Sequence, residues 1–356
     1  ITFASTTTWS SLFRDMAQYG VATAATKLDC VQIDGLVVLK IMKHCRDETN
    51  GNQLVSGQLL GMDITFASTT TLEVTSCFPM PHTGEDDNAE DTDIYVTEML
   101  RCMREVNVDN NTVGWYQSTF MNSWLDVESP TIATQYQFQE SVPKSVCLVY
   151  DPVRTSSGSV YLKAYRLTDK FMAKYKLHLE NGSHGFTEAD LKPKFRDDYS
   201  GKILEEGIST DEIFEEVPIR IHNSALVSAM LYDWVCEGTM GANMDCDFER
   251  LDLSSRPFLD KSMELLVDGI EQLRTDQDRA EFRKRDAERK RRDHKRSARG
   301  DEASREELMR MFPDPSRLEG LLIAHQVERY CDDIAKFTGQ SFSKLYLARG
   351  MQEGTN

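Results

Sequence analysis

The stretch Val113-Gly114-Trp115-Tyr116-Gln117-Ser118-Thr119-Phe120 decides the fold of the chain around it. Val113, Trp115 and Gln117 fall on one face of an extended segment and Gly114, Tyr116 and Ser118 on the other. With aromatic bulk on both sides, this is a strand buried within a sheet. The polar triplet Gln117-Ser118-Thr119 marks its end. A zinc hydrolase needs at such an end two histidines at i and i+2, whose imidazoles leave one face and converge on a single ion. Here those positions hold an amide and a hydroxyl, Gln117 and Thr119.

A companion strand is expected at Leu54-Val55-Ser56-Gly57-Gln58-Leu59-Leu60-Gly61. Further motifs follow in order: Val31 to Lys40, Tyr150-Asp151-Pro152, Lys163 to Thr168, Phe214 to Ile219 and, in the tail, Leu321 to Gln326. In these stretches the chain resembles the MPN-domain family, over roughly residues 30 to 170. The outer motifs extend the resemblance to a catalytically inactive branch that serves translation initiation. It implies an α/β fold in which an MPN domain, a curved mixed sheet flanked by helices, is followed by an all-α C-terminal tail. Zinc-dependent members carry a glutamate on the earlier strand, then His-x-His, a serine and an aspartate. The resemblance places Leu54 at the glutamate, Gln117 and Thr119 at the histidines with Ser118 between them, and Ser129 at the aspartate, with Asp126 three residues away. Losing the base, both imidazoles and the carboxylate removes the ion and the means of deprotonating its water.

The resemblance therefore implies no catalysis, no cofactor, no metal and no small-molecule substrate. It implies a cytoplasmic scaffold subunit of a translation initiation factor, paired with a second MPN subunit and with helical-repeat subunits, and reaching the small ribosomal subunit through that complex. Two other readings differ in kind. One moves the scaffold to the proteasome lid or the signalosome, which also use inactive MPN subunits. The other is a residual metallo-isopeptidase using Asp126 with His44 or His82, which nothing in their spacing recommends.

A chain of 356 residues, 40% of them hydrophobic, is long enough for two domains and at least one sizeable core. Its 41 basic and 58 acidic side chains leave a net charge of -17, which excludes a nucleic-acid binder over the whole surface. The cysteines, at 30, 45, 77, 102, 147, 236, 246 and 331, form no Cys-x-x-Cys pair and no cluster with histidine. Reduced, mostly buried thiols are expected rather than a zinc site. No apolar run approaches the ~20 residues that cross a bilayer.

Residues 1–29 are expected to be a flexible or artefactual extension; their opening Ile-Thr-Phe-Ala-Ser-Thr-Thr-Thr recurs letter for letter at Ile64 to Thr71. The second copy is expected to lengthen a hairpin. Residues 30–222 form the expected MPN domain, with a polar insertion near 174–211, and 223–356 the helical tail. Helices are expected from Gly35 to about Cys45, around Tyr95 to Met103, and near Ile132 to Val142; strands at Val146 to Tyr150 and Val160 to Leu167. The acidic run Glu85 to Asp93 fits a solvated loop, since its spacing matches no calcium loop.

In the tail, Leu259, Met263, Leu266, Ile270 and Leu273 are spaced 4-3-4-3, as are Ile323, Val327, Tyr330, Ile334 and Phe337. The seams can pair with each other or with partner chains. A bundle completed by partners is the expectation, because two or three helices alone bury little surface. Between them Arg283 to Arg299 holds ten basic and three acidic side chains, a net of +7 in a chain otherwise at -24. Arg289, Lys290, Arg291 and Arg292 are its candidate anion or RNA contacts. Without an aromatic to stack a base, the block is expected to be a solvated connector helix.

Overall fold

The structure is a computed structural model and describes residues 27–48, 54–66, 69–81, 89–125, 131–156, 160–181, 186, 210–236, 256–297 and 316–353. The chain divides into two compact units. One comprises residues 1–124, 129–166 and 215–252; the other comprises 125–128, 167–214 and 253–356.

The first unit is built on a curled sheet. Strands β2 (Ser56–Phe66) and β3 (Thr69–Pro79) make a long antiparallel hairpin, with β1 (Cys30–Asp34) running parallel to β3. The repeated octapeptide supplies the hairpin's far end, Ile64 opposite Thr71 and Thr65 opposite Thr70, and so lengthens it as expected. On the other flank β2 pairs with β4 (Thr112–Ser118), which runs parallel to β5 (Val146–Tyr150). Every residue of β4 and β5 is buried. Gly114 makes that parallel pairing possible: a Cβ there would lie 2.1 Å from the Val146 carbonyl oxygen. Gly57 does the same for β2, where a Cβ would fall 2.3 Å from the Tyr116 ring.

Strand β6 (Leu162–Leu167) is antiparallel to β5, and β7 (Phe214–Val217) lies beside β6. Strand β8 (Ile219–His222) pairs in parallel with β1, giving the order β7-β6-β5-β4-β2-β3-β1-β8. Pro218 alone separates β7 from β8, yet they hold opposite edges of the sheet. The sheet must curl until its two edges meet. Proline has no N–H to give a ladder, and at this corner only its carbonyl is used, accepting from Val31 N at 2.9 Å.

Inside the curl sits helix α1 (Gly35–Glu48), whose Val37, Val38, Ile41 and Cys45 pack among Ile33, Leu59, Val74 and Leu148. Leu60 points the opposite way from Leu59, as period 2 demands, and meets Phe78 and Val96 of α2 (Ala89–Glu105) on the outer face. Helix α3 (Thr131–Ser141) covers β4 from outside, with the Phe138 ring stacked on Trp115 at 6.3 Å. A five-residue helix, α4 (Pro152–Ser156), follows β5, and the apolar helix α6 (Ala225–Cys236) follows β8.

The second unit is helical. Helix α5 (Asp169–Asn181) buries Phe171 and Tyr175, ring centroids 5.9 Å apart, with Phe186 5.4 Å from Phe171. The polar stretch expected as an insertion from Lys174 thus begins inside a helix; an anchor of two aromatics at i and i+4 is too short a pattern to stand out. Helices α7 (Arg256–Ser297) and α8 (Leu318–Glu353) form an antiparallel hairpin. The Phe258 and Phe337 rings are 5.9 Å apart at one end, and Asp276 lies beside Gly320 at the other. Helix α6 groups with the sheet unit, and residues 167–214 with the tail helices. The N-terminal extension up to residue 26 and Glu85 to Asn88 of the acidic run lie outside the described residues, whereas Ala89 to Asp93, expected as loop, form the first turn of α2.

Candidate functional site

Strand β4 carries the positions that the resemblance assigns to the metal to one end of the sheet. Ser56 stands opposite Gln117, so the antiparallel register places Leu54 level with Thr119. Ser118 fastens that end, its Oγ accepting from Val55 N at 2.8 Å and its own N–H donating to the Val55 carbonyl at 2.7 Å. Leu54, Gln117, Ser118 and Thr119 are thereby brought together, whereas Ser129 and Asp126 lie outside the described residues.

The chemistry at this end is that of a closed protein interior. The Thr131 hydroxyl, at the start of α3, donates to Gln117 Oε1 at 3.2 Å, with the Trp124 carbonyl in reach at 3.4 Å. One and two turns further along the same helix, Gln135 accepts from Trp115 Nε1 at 2.8 Å and donates to Gln139 Oε1 at 3.0 Å and the Ser145 carbonyl at 3.3 Å. Gln117, Ser118 and Thr119 are all buried, and the Thr119 hydroxyl has no hydrogen-bond partner among the described residues. Leu54 is half exposed and offers only carbon.

Zinc would need at least three nitrogen, sulfur or carboxylate donors here. The residues do not fit it: one amide oxygen is already taken, one hydroxyl is sealed in, and the third position is aliphatic. Among the described residues no group of three or more His, Cys, Asp or Glu could hold a metal ion. His44 cannot help from α1, because its Nδ1 hydrogen-bonds Tyr116 Oη at 2.8 Å, on the face of β4 opposite Gln117. His82 lies outside the described residues.

Two residues that hold the site's shape were not singled out from sequence. Asp151 is fully buried; its Oδ1 accepts from the backbone of Val153 and Arg154 at 3.0 and 3.1 Å, and its Oδ2 from Asn122 N at 3.1 Å. It thus caps α4 and pins the loop after β4, where Met121 and Asn122 are both left-handed, at φ 49° and 65°. Burial raises its carboxyl pKa, against the lowering pull of Arg154 and these N–H donors. Asp-Pro was legible as a turn, and proline at the first helical position is the signal that could have marked the cap. Thr131 had no such signal. The thiols inside the curl are inert, burial pushing Cys45 up to about 12 and Cys77 to about 11.

A family model described as the JAB1/Mov34/MPN/PAD-1 ubiquitin protease matches residues 26–144, and one described as the C-terminal region of eIF3h matches residues 155–356. The H subunit of eukaryotic translation initiation factor 3 from Arabidopsis thaliana is 39% identical over 347 residues, 92% of this chain and 94% of its own length. Its Dictyostelium discoideum counterpart is 38% identical over 335 residues, covering 92% of this chain and 96% of itself. The Nematostella vectensis one is 36% identical over 344 residues, 92% and 95% of the two chains. The chain belongs to the eIF3h family of translation initiation factor subunits.

In this eIF3h family member the tail seams behave unequally. On α8, Ile323 and Tyr330 are buried and Val327, Ile334 and Phe337 half-buried, with Val327 and Tyr330 against Gly269 of α7. That seam faces α7 within the chain. On α7, Leu259, Leu266 and Leu273 are half-buried, but Met263 and Ile270 are 47% and 50% exposed. The buried line of α7 runs instead through Gly269, Asp276 and Ala280, because small residues let the two helix backbones approach. The basic block is the end of α7 itself, laddered by ion pairs of Arg285 with Glu281 and Lys290 with Asp286, both at 2.8 Å, and Arg292 with Glu288 at 3.7 Å. No helix among the described residues is long and apolar enough to cross a membrane.

Proposed function

We propose that this chain is a non-catalytic scaffold subunit of eukaryotic translation initiation factor 3, working in the cytoplasm. Its MPN domain, residues 30–222, pairs with a second MPN subunit, and its helical tail, 223–356, packs with helical-repeat subunits to support initiation on the small ribosomal subunit. The observation that carries the non-catalytic reading is the hydrogen bond of Thr131 to Gln117, which fills a would-be metal position with a satisfied amide. What supports the assembly is the match to eIF3h relatives over nearly their whole length. Half-exposed Met263, Val267 and Ile270 on α7 supply a further apolar stripe at helical spacing for a partner helix.

The test is to purify the tagged full chain from a eukaryotic lysate and identify what accompanies it, while measuring its zinc by elemental analysis. Initiation factor chains, including one with an MPN domain, together with no stoichiometric zinc and no cleavage of ubiquitin linkages, are the expected result. Proteasome-lid or signalosome chains in their place would move the scaffold to those assemblies. One zinc per chain after dialysis would remove the non-catalytic reading.

A further inference from the structure

Among the described residues, the last third of α7 has no counterpart to lie against. The described part of the α7–α8 hairpin ends where Asp276 meets Gly320, and Ala280 is the last buried residue of α7 up to residue 294. A helical hairpin needs about 2–8 residues to turn at such a point. Here the helix instead continues to Ser297, about 25 Å further at ~1.5 Å per residue, and α8 begins only at Leu318. From residue 281 to 294 no residue is buried, and Phe282 is 72% exposed. Among the described residues the segment is solvated, as its composition suggested, and it runs on beyond the packed part of the hairpin.

A helix segment with no buried residue from 281 to 294 draws its support from within. Each of the three ion pairs along it places the acid four residues before the base, Glu281 to Arg285, Asp286 to Lys290 and Glu288 to Arg292, the more favourable order. Residues 281–297 still hold nine basic and four acidic side chains, in a chain whose net charge is -17. Arg285, Arg289 and Arg292 recur at spacings of four and three, which aligns them on one helical face. Arg289 has no acidic partner among the described residues. A partner for such a surface is anionic and extended, since no apolar stripe exists for a protein helix to bury. Forked guanidinium donors suit phosphate oxygens; Phe282 stands ahead of the first arginine, and from Arg283 to Ser297 no Phe, Tyr or Trp is interleaved to stack on a base. The acidity of the rest of the chain does not forbid this, because charges more than a Debye length away, about 8 Å at physiological salt, are largely screened.

We propose that residues 281–297 form a self-supporting helical arm that lies along an RNA phosphate backbone without reading its sequence. The proposal rests on the reading of the chain as an initiation factor subunit, which is what brings RNA within reach. Its test uses the full chain and two labelled probes, a single-stranded oligouridylate of about 20 nucleotides and an RNA duplex of about 16 base pairs, over about 50 to 200 mM salt. Both should bind, and replacing Arg289, Lys290, Arg291 and Arg292 with Gln should reduce the log-log salt slope by about two units or more, at 0.7 to 0.9 per lost phosphate contact. A Lys variant at Arg289, Arg291 and Arg292 keeps the charge and should keep the slope, which separates lost contacts from a melted arm. No binding by the unaltered chain, an unchanged slope in the Gln variant, or a lost slope in the Lys variant would each overturn the arm. So would equal competition by poly-glutamate, which would make it a surface for acidic proteins. If the Gln variant keeps its initiation factor partners yet shows no RNA response, the arm alone falls; if RNA binding holds while those partners never co-purify, the assembly reading falls and the arm stands.

Discussion

Thr119 and Gln117 leave β4 two residues apart and meet opposite fates. The Gln117 amide oxygen is satisfied by Thr131, whereas the buried Thr119 hydroxyl has no partner among the described residues. Thr119→Val, which deletes an unsatisfied buried group at nearly constant shape, should therefore leave thermal stability unchanged or raise it. Thr131→Val should cost about 1–3 kcal/mol, because it orphans Gln117 in turn; a pair of urea melts compares the two. His178 offers a pH-dependent counterpart. It sits between the rings of Tyr175 and Phe186 at 6.1 and 5.6 Å, and burial holds its imidazole below the ordinary 6.5. The unfolded chain thus takes up this proton first, so the stability it contributes is present above about 6.5 and is lost as pH falls below that value. Melts from pH 7.5 down to about 5.5 should show that loss, and His178→Phe should reduce it. At this scale sequence showed which residues are missing, since a Gln and a Thr in place of two imidazoles are visible in a single line. It could not show what replaced them, because Thr131 and Asp151 reach the site only through the packing of α3 and the turn into α4.

Among elements, α8 was legible and α7 was legible only in part. A 4-3-4-3 count selects large apolar residues, and on α8 those residues do face the neighbouring helix. On α7 the same count chose Met263 and Ile270, while close backbone approach selected Gly269 and Ala280, which carry no hydrophobic signal of their own. The two faces can be separated by charge. Leu266→Asp or Ile334→Asp puts an unpaired carboxylate into the intrachain seam and should cost several kcal/mol of the tail's own stability. Met263→Asp or Ile270→Asp sits on the outer face and should move stability by no more than about 0.5 kcal/mol. If the outer stripe receives a partner helix, those two variants should melt normally and yet fail to co-purify with the other subunits. Normal melting with undiminished co-purification would assign that face to solvent. Short strands were the harder elements: β1 runs into α1 with no turn residue between them, and β7 and β8 are four residues each, too brief for alternation to show.

For the whole molecule, the sheet's strand order depends on pairings that no local pattern encodes. Val31 sits against Ile219, and this contact between distant parts of the chain fixes the curl. Truncation after Ile213 should leave β1 and β6 each with one unpaired edge and give a protein that scatters light and aggregates. Truncation after Cys236 retains both closing strands and should remain dispersed, with light scattering reporting the difference.

The corner at Pro218 also limits what kinds of partner the sheet unit can accept. Backbone-to-backbone recognition, in which an incoming peptide extends a ladder, needs a long, straight border with open amides. Here each border strand is four residues long, and a single imino acid ties one border to the other. Recruitment of a neighbour must then pass through side chains on helices and loops. Its selectivity is written in replaceable residues, so evolution can retune whom this unit associates with while leaving the closed sheet untouched.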